Sequence, residues 1–229
     1  MALAIFDLDN TLLAGDSDYL WGVFLVERGI VDEDEFAREN ERFYREYQEG
    51  NLDIYKFLRF SLRPLRDNRP EDLRRWRRDF VQEKIEPIIL LPARELVERH
   101  RAAGDTLLIV TATNQFVTAP IAERLGVPNL IATVPERANG RYTGQVAGIP
   151  AYQAGKVERL LDWLEETATG LVGGLAGSTF YTDSHNDIPL LERVEHPVAT
   201  DPDDRLRRHA HDRDWPIISL RKSNVMPSS

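Results

Sequence analysis

The sequence predicts an α/β protein in which helices cover both faces of a mainly parallel sheet. Short apolar runs with strand character recur along the chain, and longer helical patterns separate most of them. The predicted strands are Leu3–Phe6, Thr106–Val110, Asn129–Ala132, Thr179–Thr182, His196–Ala199 and Pro216–Leu220. Reactive groups in such sheets gather beyond the carboxyl ends of the strands. Asp7, Thr111 and Asp183 each stand at or just after such an end.

One interval interrupts this alternation and predicts an inserted, all-helical cap. No strand pattern occurs from Ser17 to about Ile89. Three or four helices are predicted there instead, beginning near Ser17, Asp32, Asp53 and Pro70. We therefore expect a core built from residues 1–15 and 90–229, with residues 16–89 forming the cap.

Two glycine-containing segments predict connections between strands. Asn139-Gly140 lies between strand-like flanks in residues 136–148, a pattern typical of a β-hairpin. Residues 170–177, GLVGGLAG, match G-x-G-x-x-G in no register, so we interpret them as a flexible connection that precedes a strand.

Composition limits the classes of function. The 229 residues suffice for one domain or a domain with an insert, and 42% hydrophobic residues allow a packed core. The net charge of −9 argues against nucleic acid and against an anionic membrane surface as partners. Because there is no cysteine, a metal would need oxygen or histidine ligands. The absence of cysteine also fits a cytoplasmic protein. The early Asp7 and the lack of a long apolar run argue against a signal peptide and a membrane span.

The acidic residues after the first strand need a counter-charge. Asp7 and Asp9 are one residue apart, and two like charges so close repel each other. A Mg²⁺ ion would supply the positive charge, since it prefers hard oxygen ligands. The other polar groups at strand ends or helix starts are Thr111, Lys156, Asp183 and Asp187. Together they indicate a site for a phosphate group and a metal.

These stretches resemble, in chain order, the four motifs of the haloacid dehalogenase superfamily of phosphatases. DLDNTL resembles its D-x-D-x-T signature, Thr111 its second motif, Lys156 its third, and DSHND its D-x-x-x-D fourth motif. The helical insert directly after the first motif resembles the cap of the phosphoserine-phosphatase-like branch, subfamily IB. The resemblance spans roughly residues 3 to 200 and implies a Rossmann-like core.

The resemblance also implies roles for the motif residues. Asp7 would be the nucleophile that forms an aspartyl-phosphate, and Asp9 would be the general acid and base. Thr111 and Lys156 would bind the oxygens of the transferring phosphoryl group. Mg²⁺ would be held by the Asp7 carboxylate, the Asp9 backbone carbonyl and Asp183.

Further residues are expected around this set. Asp187 would orient Lys156 or a metal-bound water, and Asn186 would support the same loop. Ala112 and Thr113, which follow Thr111, are expected to contact the substrate.

The cap favours a small phosphorylated metabolite, because a lid excludes water around a compact ligand. In the resemblance, Asp16 matches the position of a glutamate that holds the substrate's amino group, and Arg59 matches a carboxylate-binding arginine. The alternatives are a helix cap for Asp16 and a helix-surface position for Arg59.

Three segments are similar to bacterial superfamily members assigned as histidinol-phosphate phosphatases, namely NTLLAGDSDYLW, VTATNQFVTAPIA and GRYTG. We therefore favour an amine-bearing phosphate monoester, with histidinol phosphate first. A phosphoserine phosphatase, another small-metabolite phosphatase or phosphotransferase, and a non-catalytic phosphate-binding regulatory protein stay open as alternatives. The sequence predicts no oligomeric state.

Overall fold

The computed structural model describes residues 2–167 and 175–221, which contain a seven-stranded sheet. The strands are β1 Leu3–Phe6, β2 Thr106–Asn114, β3 Asn129–Ala138, β4 Arg141–Ala147, β5 Thr179–Thr182, β6 His196–Thr200 and β7 Ile217–Ile218. Their spatial order is β4-β3-β2-β1-β5-β6-β7. Every neighbouring pair is parallel except β3 and β4, so the predicted fold class is confirmed.

Helices connect the strands and also form the insert between β1 and β2. The insert contains α1 Ser17–Glu27, α2 Glu33–Glu49, α3 Ile54–Ser61, α4 Arg63–Asp67 and α5 Pro70–Phe80. The later helices are α6 Leu91–Ala102, α7 Gln115–Leu125, α8 Ala154–Thr167, α9 Ile188–Leu191 and α10 Asp204–Asp212. None of the helices in the described ranges is both long and apolar enough to cross a membrane.

The position of β1 in the sheet determines where a site can form. Phe6 pairs with Ile109 of β2 on one side and with Tyr181 of β5 on the other. Strands β2 to β4 thus lie on one side of β1, and strands β5 to β7 lie on the other. The chain connections on the two sides diverge at the carboxyl end of β1. This is the place where open parallel sheets bind ligands, and Asp7 is the first residue beyond it.

Strand β2 continues further than predicted. It runs through Thr111 to Asn114, with a shift in its pairing to β3 between those two residues. The predicted hairpin is present, since β3 and β4 pair around Asn139 at φ 51° and Gly140 at φ 77°. Positive φ at both positions is typical of a type I′ turn, which asparagine and glycine tolerate. Of the glycine-rich connection, residues 170–174 lie outside the described residues.

The insert is helical, as predicted, but has five α-helices because short α4 follows α3 directly. A five-residue π-helical segment, Val81–Ile85, and a 3₁₀ turn, Glu86–Ile88, lead back to the core. The outgoing and returning chains run side by side, and Leu13 forms an antiparallel bridge with Ile89. The limits of the cap at residues 16–89 stay a prediction.

Candidate active site

The floor of the site is a buried lysine between two carboxylates. Lys156 lies in the first turn of α8, and its Nζ is 2.8 Å from Asp7 Oδ1 and 2.8 Å from an oxygen of Asp187. The three side chains are at most 5% exposed. Thr182, at the end of β5, donates its hydroxyl to Asp187 at 2.7 Å. Charges so deeply buried are tolerated only when they are paired in this way.

The pKa values reflect an excess of negative charge at the floor. Burial raises the pKa of Asp7 to about 7, although Lys156 opposes the shift, and the charges of Asp187 and Asp9 add to it. Burial alone would lower the pKa of Lys156, but Asp187 and Asp7 together raise it. Burial and the charge of Asp7 raise the pKa of Asp183 well above its usual range. One lysine therefore does not balance these acids.

Thr11 joins the two distant acidic segments. Its Oγ1 is 3.3 Å from Asp7 Oδ2 and 3.0 Å from Asp183 Oδ1, and it also accepts a hydrogen bond from the Asp183 amide at 3.0 Å. The candidate metal ligands Asp7 and Asp183 therefore lie close together, as expected for residues at the carboxyl ends of neighbouring parallel strands. Thr11 itself was missed as a candidate, although it is the threonine of the D-x-D-x-T pattern.

These residues fit a divalent cation that keeps much of its water shell. In the described part of the chain, no three acidic, histidine or cysteine side chains converge on one point. Protein side chains would thus supply two carboxylates, and backbone carbonyls, water and phosphate the remaining ligands, as Mg²⁺ prefers. The raised pKa values of Asp7 and Asp183 support such a cation, since it would favour both ionised forms.

Asp9 is held between the core and the cap. Its Oδ1 accepts a 2.6 Å hydrogen bond from the Ser17 amide, in the first turn of α1. Its Oδ2 accepts from Thr113 at 2.8 Å and from Thr111 at 3.3 Å. The continuation of β2 past Val110 is what presents both threonines. Any movement of α1 would therefore shift the Asp9 carboxylate through its hydrogen bond to the Ser17 amide.

A cavity lies between this floor and the cap, and its empty space of about 550 Å³ includes some open solvent. The core contributes Asp7, Asp9, Thr111, Ala112, Thr113 and Tyr152. The cap contributes Asp16, Asp18, Tyr19, Asn40, Phe43, Tyr44, Tyr47, Leu52, Ile54 and Phe57. The lining is thus acidic and aromatic, and it contains no lysine, arginine or histidine among the described residues.

One face of α2 forms much of the cap side. Asn40, Phe43, Tyr44 and Tyr47 are spaced as i, i+3, i+4 and i+7, so they share one face of the helix. This spacing is visible in the sequence and could have identified them. Burial and the charge of Asp7 raise the pKa of Tyr47 well above its usual range, so its hydroxyl stays protonated.

The two acids at the start of α1 both reach the cavity but differ in their contacts. Asp16 is the N-cap, and its Oδ1 accepts from the amides of Asp18 at 3.0 Å and Tyr19 at 2.8 Å. In the described ranges, the Asp18 carboxylate accepts one hydrogen bond, at 3.5 Å from the side chain of Asn114. Burial, with the Asp9 charge, raises the pKa of Asp16 well above its usual range and that of Asp18 to about 7.

The loop after β5 anchors the end of α2. Asn186 Nδ2 donates to the Tyr47 carbonyl at 3.3 Å, and its Oδ1 accepts from the Tyr152 hydroxyl at 3.1 Å. A second contact to the end of α2 comes from α10, where Arg205 donates to the Glu49 carbonyl at 2.6 Å. The loop that carries Asp183 and Asp187 thus contacts the cap directly.

Arg59 does not reach this cavity. It is exposed on α3 and borders a separate surface depression with other charged side chains, including Arg38, Glu39 and Arg63. Helix α3 turns Leu58 and Phe60 into the core, which leaves Arg59 pointing to solvent. Arg59 thus lies where the helix-surface alternative expects it, and its contact with substrate stays a prediction.

The fold and the arrangement of the site define a class: a Rossmann-like hydrolase whose helical cap covers an acidic site at the end of β1. Residues 4–192 match the family described as haloacid dehalogenase-like hydrolase, and the chain belongs to this family. It is a phosphatase of that family, as its relatives indicate.

Two curated relatives cover most of the chain. A histidinol-phosphatase of Neisseria meningitidis serogroup C is 44% identical over 221 residues, which are 96% of this chain and 99% of the relative. A phosphoserine phosphatase of Mycobacterium tuberculosis is 32% identical over 223 residues, which are 96% of this chain and 71% of the relative.

Solved structures support the fold. A Bordetella pertussis protein of unknown function has a TM-score of 0.87 and 44% identity, over 96% of this chain and 98% of that one. A phosphoserine phosphatase with a phospho-aspartyl intermediate analogue has a TM-score of 0.70 at 19% identity, over 97% and 94% of the two chains. At that identity, the likeness concerns the fold alone.

Proposed function

We propose that this phosphatase hydrolyses histidinol phosphate. The observation that carries the proposal is the charge of the cavity: its described lining combines carboxylates with aromatic rings, and it offers no basic side chain besides Lys156, which is buried at the floor. Histidinol phosphate has an ammonium group and an imidazole ring but no carboxylate. Both groups suit an acidic, aromatic pocket, since carboxylates attract the ammonium and aromatic faces accept the ring.

Phosphoserine fits this lining less well. Its carboxylate would enter a cavity that already contains Asp16 and Asp18, and like charges in a poorly hydrated site repel strongly. Arg59, the expected partner of such a carboxylate, is exposed elsewhere. The 44% identity to a histidinol-phosphatase also supports the choice.

The floor supports a two-step reaction through Asp7. An oxygen of Asp7 attacks phosphorus, the bond from phosphorus to the substrate oxygen breaks, and Asp9 gives that oxygen a proton. Asp9 then takes a proton from water as the water attacks phosphorus, and the bond to Asp7 breaks. The Ser17 amide and Thr113 hold Asp9 in place for both transfers.

Positive charge has to be supplied where the phosphoryl group binds. Lys156 and the Thr111 hydroxyl are the protein's own donors near Asp7 and Asp9. Mg²⁺, held by Asp7, Asp183 and the Asp9 carbonyl, would screen the repulsion between the anionic nucleophile and the phosphate. Asp187 keeps Lys156 charged and oriented.

The other expectations concern partners and surroundings. The substrate is a small phosphorylated metabolite, and the acidic chain gives no support for nucleic acid or an anionic membrane as partner. A cytoplasmic location stays a prediction. Transfer of the phosphoryl group to an alcohol would follow the same first step, and comparing free phosphate with substrate consumed distinguishes it from hydrolysis.

The proposal is tested by measuring kcat/KM for histidinol phosphate and phosphoserine side by side, within a panel of small phosphate monoesters. We expect histidinol phosphate to rank first and to yield one phosphate per molecule consumed. Excess EDTA should lower the rate by ~100-fold or more, and Mg²⁺ should restore it. A higher kcat/KM for phosphoserine would overturn the substrate, and full activity in EDTA would overturn the role of the metal.

A further inference from the structure

We propose that Asp18 and Asn40 form a subsite in the cap that binds the N–H groups of the substrate. Asp18 accepts from the ammonium group, and Asn40 accepts from the N–H of the heteroaromatic ring. The inference rests on the proposed function, because it assumes that an amine-bearing phosphate monoester enters this cavity. It assigns the ammonium group to Asp18 instead of the neighbouring Asp16.

Asp16 already has a structural role. As the N-cap of α1 it receives two backbone amides on one carboxylate oxygen, at 3.0 and 2.8 Å. These hydrogen bonds satisfy donors at the start of the helix that would otherwise lack partners. An Asp16 carboxylate directed at the helix is less free to follow a ligand.

Asp18 lacks a comparable partner. Its Oδ1 is 3.5 Å from Asn114 Nδ2, and in the described ranges its Oδ2 accepts no hydrogen bond. Asn114 accepts from the Val117 amide at 3.2 Å, and this contact directs its Nδ2 towards Asp18. No basic side chain of the described residues forms an ion pair with Asp18. A half-buried carboxylate without a cationic partner is stabilised when a ligand brings the cation.

Asn40 independently presents an acceptor to the same cavity. The residue is 7% exposed, and its Nδ2 donates to the Tyr19 carbonyl at 3.0 Å, whereas its Oδ1 accepts no hydrogen bond from the described residues. A Cβ on Gly22 would lie 2.5 Å from Asn40 Nδ2 and 2.8 Å from its Oδ1. The glycine thus lets Asn40 pack against α1. An acceptor on a mostly buried side chain that lines a cavity and receives no hydrogen bond fits a ligand that supplies a donor.

The surroundings of Asn40 fit a flat ring. Phe43 and Tyr44 lie one turn further along the same face of α2 and also line the cavity. A planar ring against their side chains can direct an N–H at Asn40 Oδ1. A neutral imidazole has one N–H donor, and an imidazolium has two. The subsite therefore distinguishes a nitrogen heterocycle from a purely hydrocarbon ring.

The Asp18 assignment is tested with phosphoethanolamine and ethyl phosphate, which differ by the amine alone. The measured quantity is the ratio of their kcat/KM values in the wild type, Asp18→Asn and Asp16→Asn. We expect Asp18→Asn to lower this ratio by ~10- to 100-fold, mainly through KM for the amine. Asp16→Asn should keep most of the preference, because asparagine caps a helix as well as aspartate does. The opposite ranking would overturn the assignment.

The Asn40 assignment is tested by the ratio of kcat/KM for histidinol phosphate to that for phosphoethanolamine. Asn40→Ala and Gly22→Ala should both lower this ratio of kcat/KM values. Gly22→Ala acts by displacing the Asn40 side chain, which itself stays unchanged. Thermal unfolding of each variant identifies any loss of fold. An unchanged ratio in a folded Asn40→Ala protein would overturn the ring contact.

The experiment separates this inference from the proposed function. A wild type that prefers phosphoethanolamine to ethyl phosphate but hydrolyses histidinol phosphate poorly would overturn the proposed function. Loss of that preference in Asp18→Asn would still support the Asp18 subsite. A wild type that hydrolyses the amine and its amine-free partner equally well would overturn the Asp18 subsite.

Discussion

The floor and the cap side of the cavity are both acidic, but they differ in how their charge is balanced. At the floor, Lys156 lies 2.8 Å from Asp7 and 2.8 Å from Asp187. On the cap side, Asp16 and Asp18 have no cationic partner in the described residues, and burial raises the pKa of both. This contrast supports the proposal that the floor binds an anionic phosphoryl group together with a metal and that the cap side binds a positively charged part of the substrate.

The largest effect is expected from removing the nucleophile at the floor. Asp7→Asn should lower kcat by ~10⁴-fold or more, because the amide cannot form the phosphorylated intermediate. The fall in kcat is measured as the rate of phosphate release from p-nitrophenyl phosphate. Asp32→Asn is the matched control. Asp32 is the exposed N-cap residue of α2 and does not line the cavity, and asparagine serves equally well at an N-cap position. Substantial turnover by Asp7→Asn would remove Asp7 from its proposed role.

The second-largest effect is expected from replacing Asp9, which contacts both α1 in the cap and Thr113 in the core. Asp9→Asn should slow turnover by ~10²- to 10⁴-fold, the usual contribution of acid–base catalysis. The amide oxygen can still accept from the Ser17 amide, so the fold and the position of α1 should persist. Single-turnover and steady-state rates together report the two chemical steps. A rate near that of the wild type would show that Asp9 transfers no proton.

Loss of the floor's cation should affect stability as well as rate. Lys156→Met leaves Asp7 and Asp187 buried without their counter-charge, so we expect ~3–5 kcal/mol less free energy of unfolding. Urea unfolding measures this. Lys56→Met provides the comparison, because Lys56 is an exposed lysine whose pair with Asp53 should contribute under ~1 kcal/mol. Equal losses in the two variants would contradict the picture of a buried, paired lysine.

A smaller effect should report the contact between the cap and the loop after β5. Gly50 and Gly104 both have positive φ, 74° and 79°, but only at Gly50 would a Cβ come within 2.5 Å of His185 Nε2. His185 cannot easily yield, because Asp203 holds its Nδ1 at 2.7 Å. Gly104→Ala should cost ~1 kcal/mol of unfolding free energy through backbone strain, and Gly50→Ala ~1–3 kcal/mol more. Equal costs, measured by urea unfolding, would contradict a close contact there.

The smallest effect is expected at Arg59. Arg59→Ala should change kcat/KM for histidinol phosphate by less than ~2-fold, because an exposed side chain away from the cavity contributes little. The same assay with phosphoserine serves as the control. A selective loss of activity towards phosphoserine would show that Arg59 reaches the substrate after all.

The two sides of the cavity also differ in how much of them could be predicted from the sequence. Floor residues follow strands directly, so the local pattern places Asp7 and Asp183 at one edge of a parallel sheet. The cap side depends on which face of a helix turns inward, and that is decided by packing. Asn40 and Tyr44 were missed although their spacing on α2 is regular. The family resemblance implied that Arg59 contacts the substrate, whereas α3 turns this residue to solvent.

The most direct test is a crystal structure of Asp7→Asn with Mg²⁺ and histidinol phosphate. We expect the phosphoryl group beside Lys156 and Thr111, and the ammonium group within hydrogen-bond distance of Asp18. The ring should lie against α2 with an N–H directed at Asn40. An ammonium group bound away from Asp18, or a ring that lies outside the cavity, would contradict the division of the site into an anion-binding floor and a cation-binding cap.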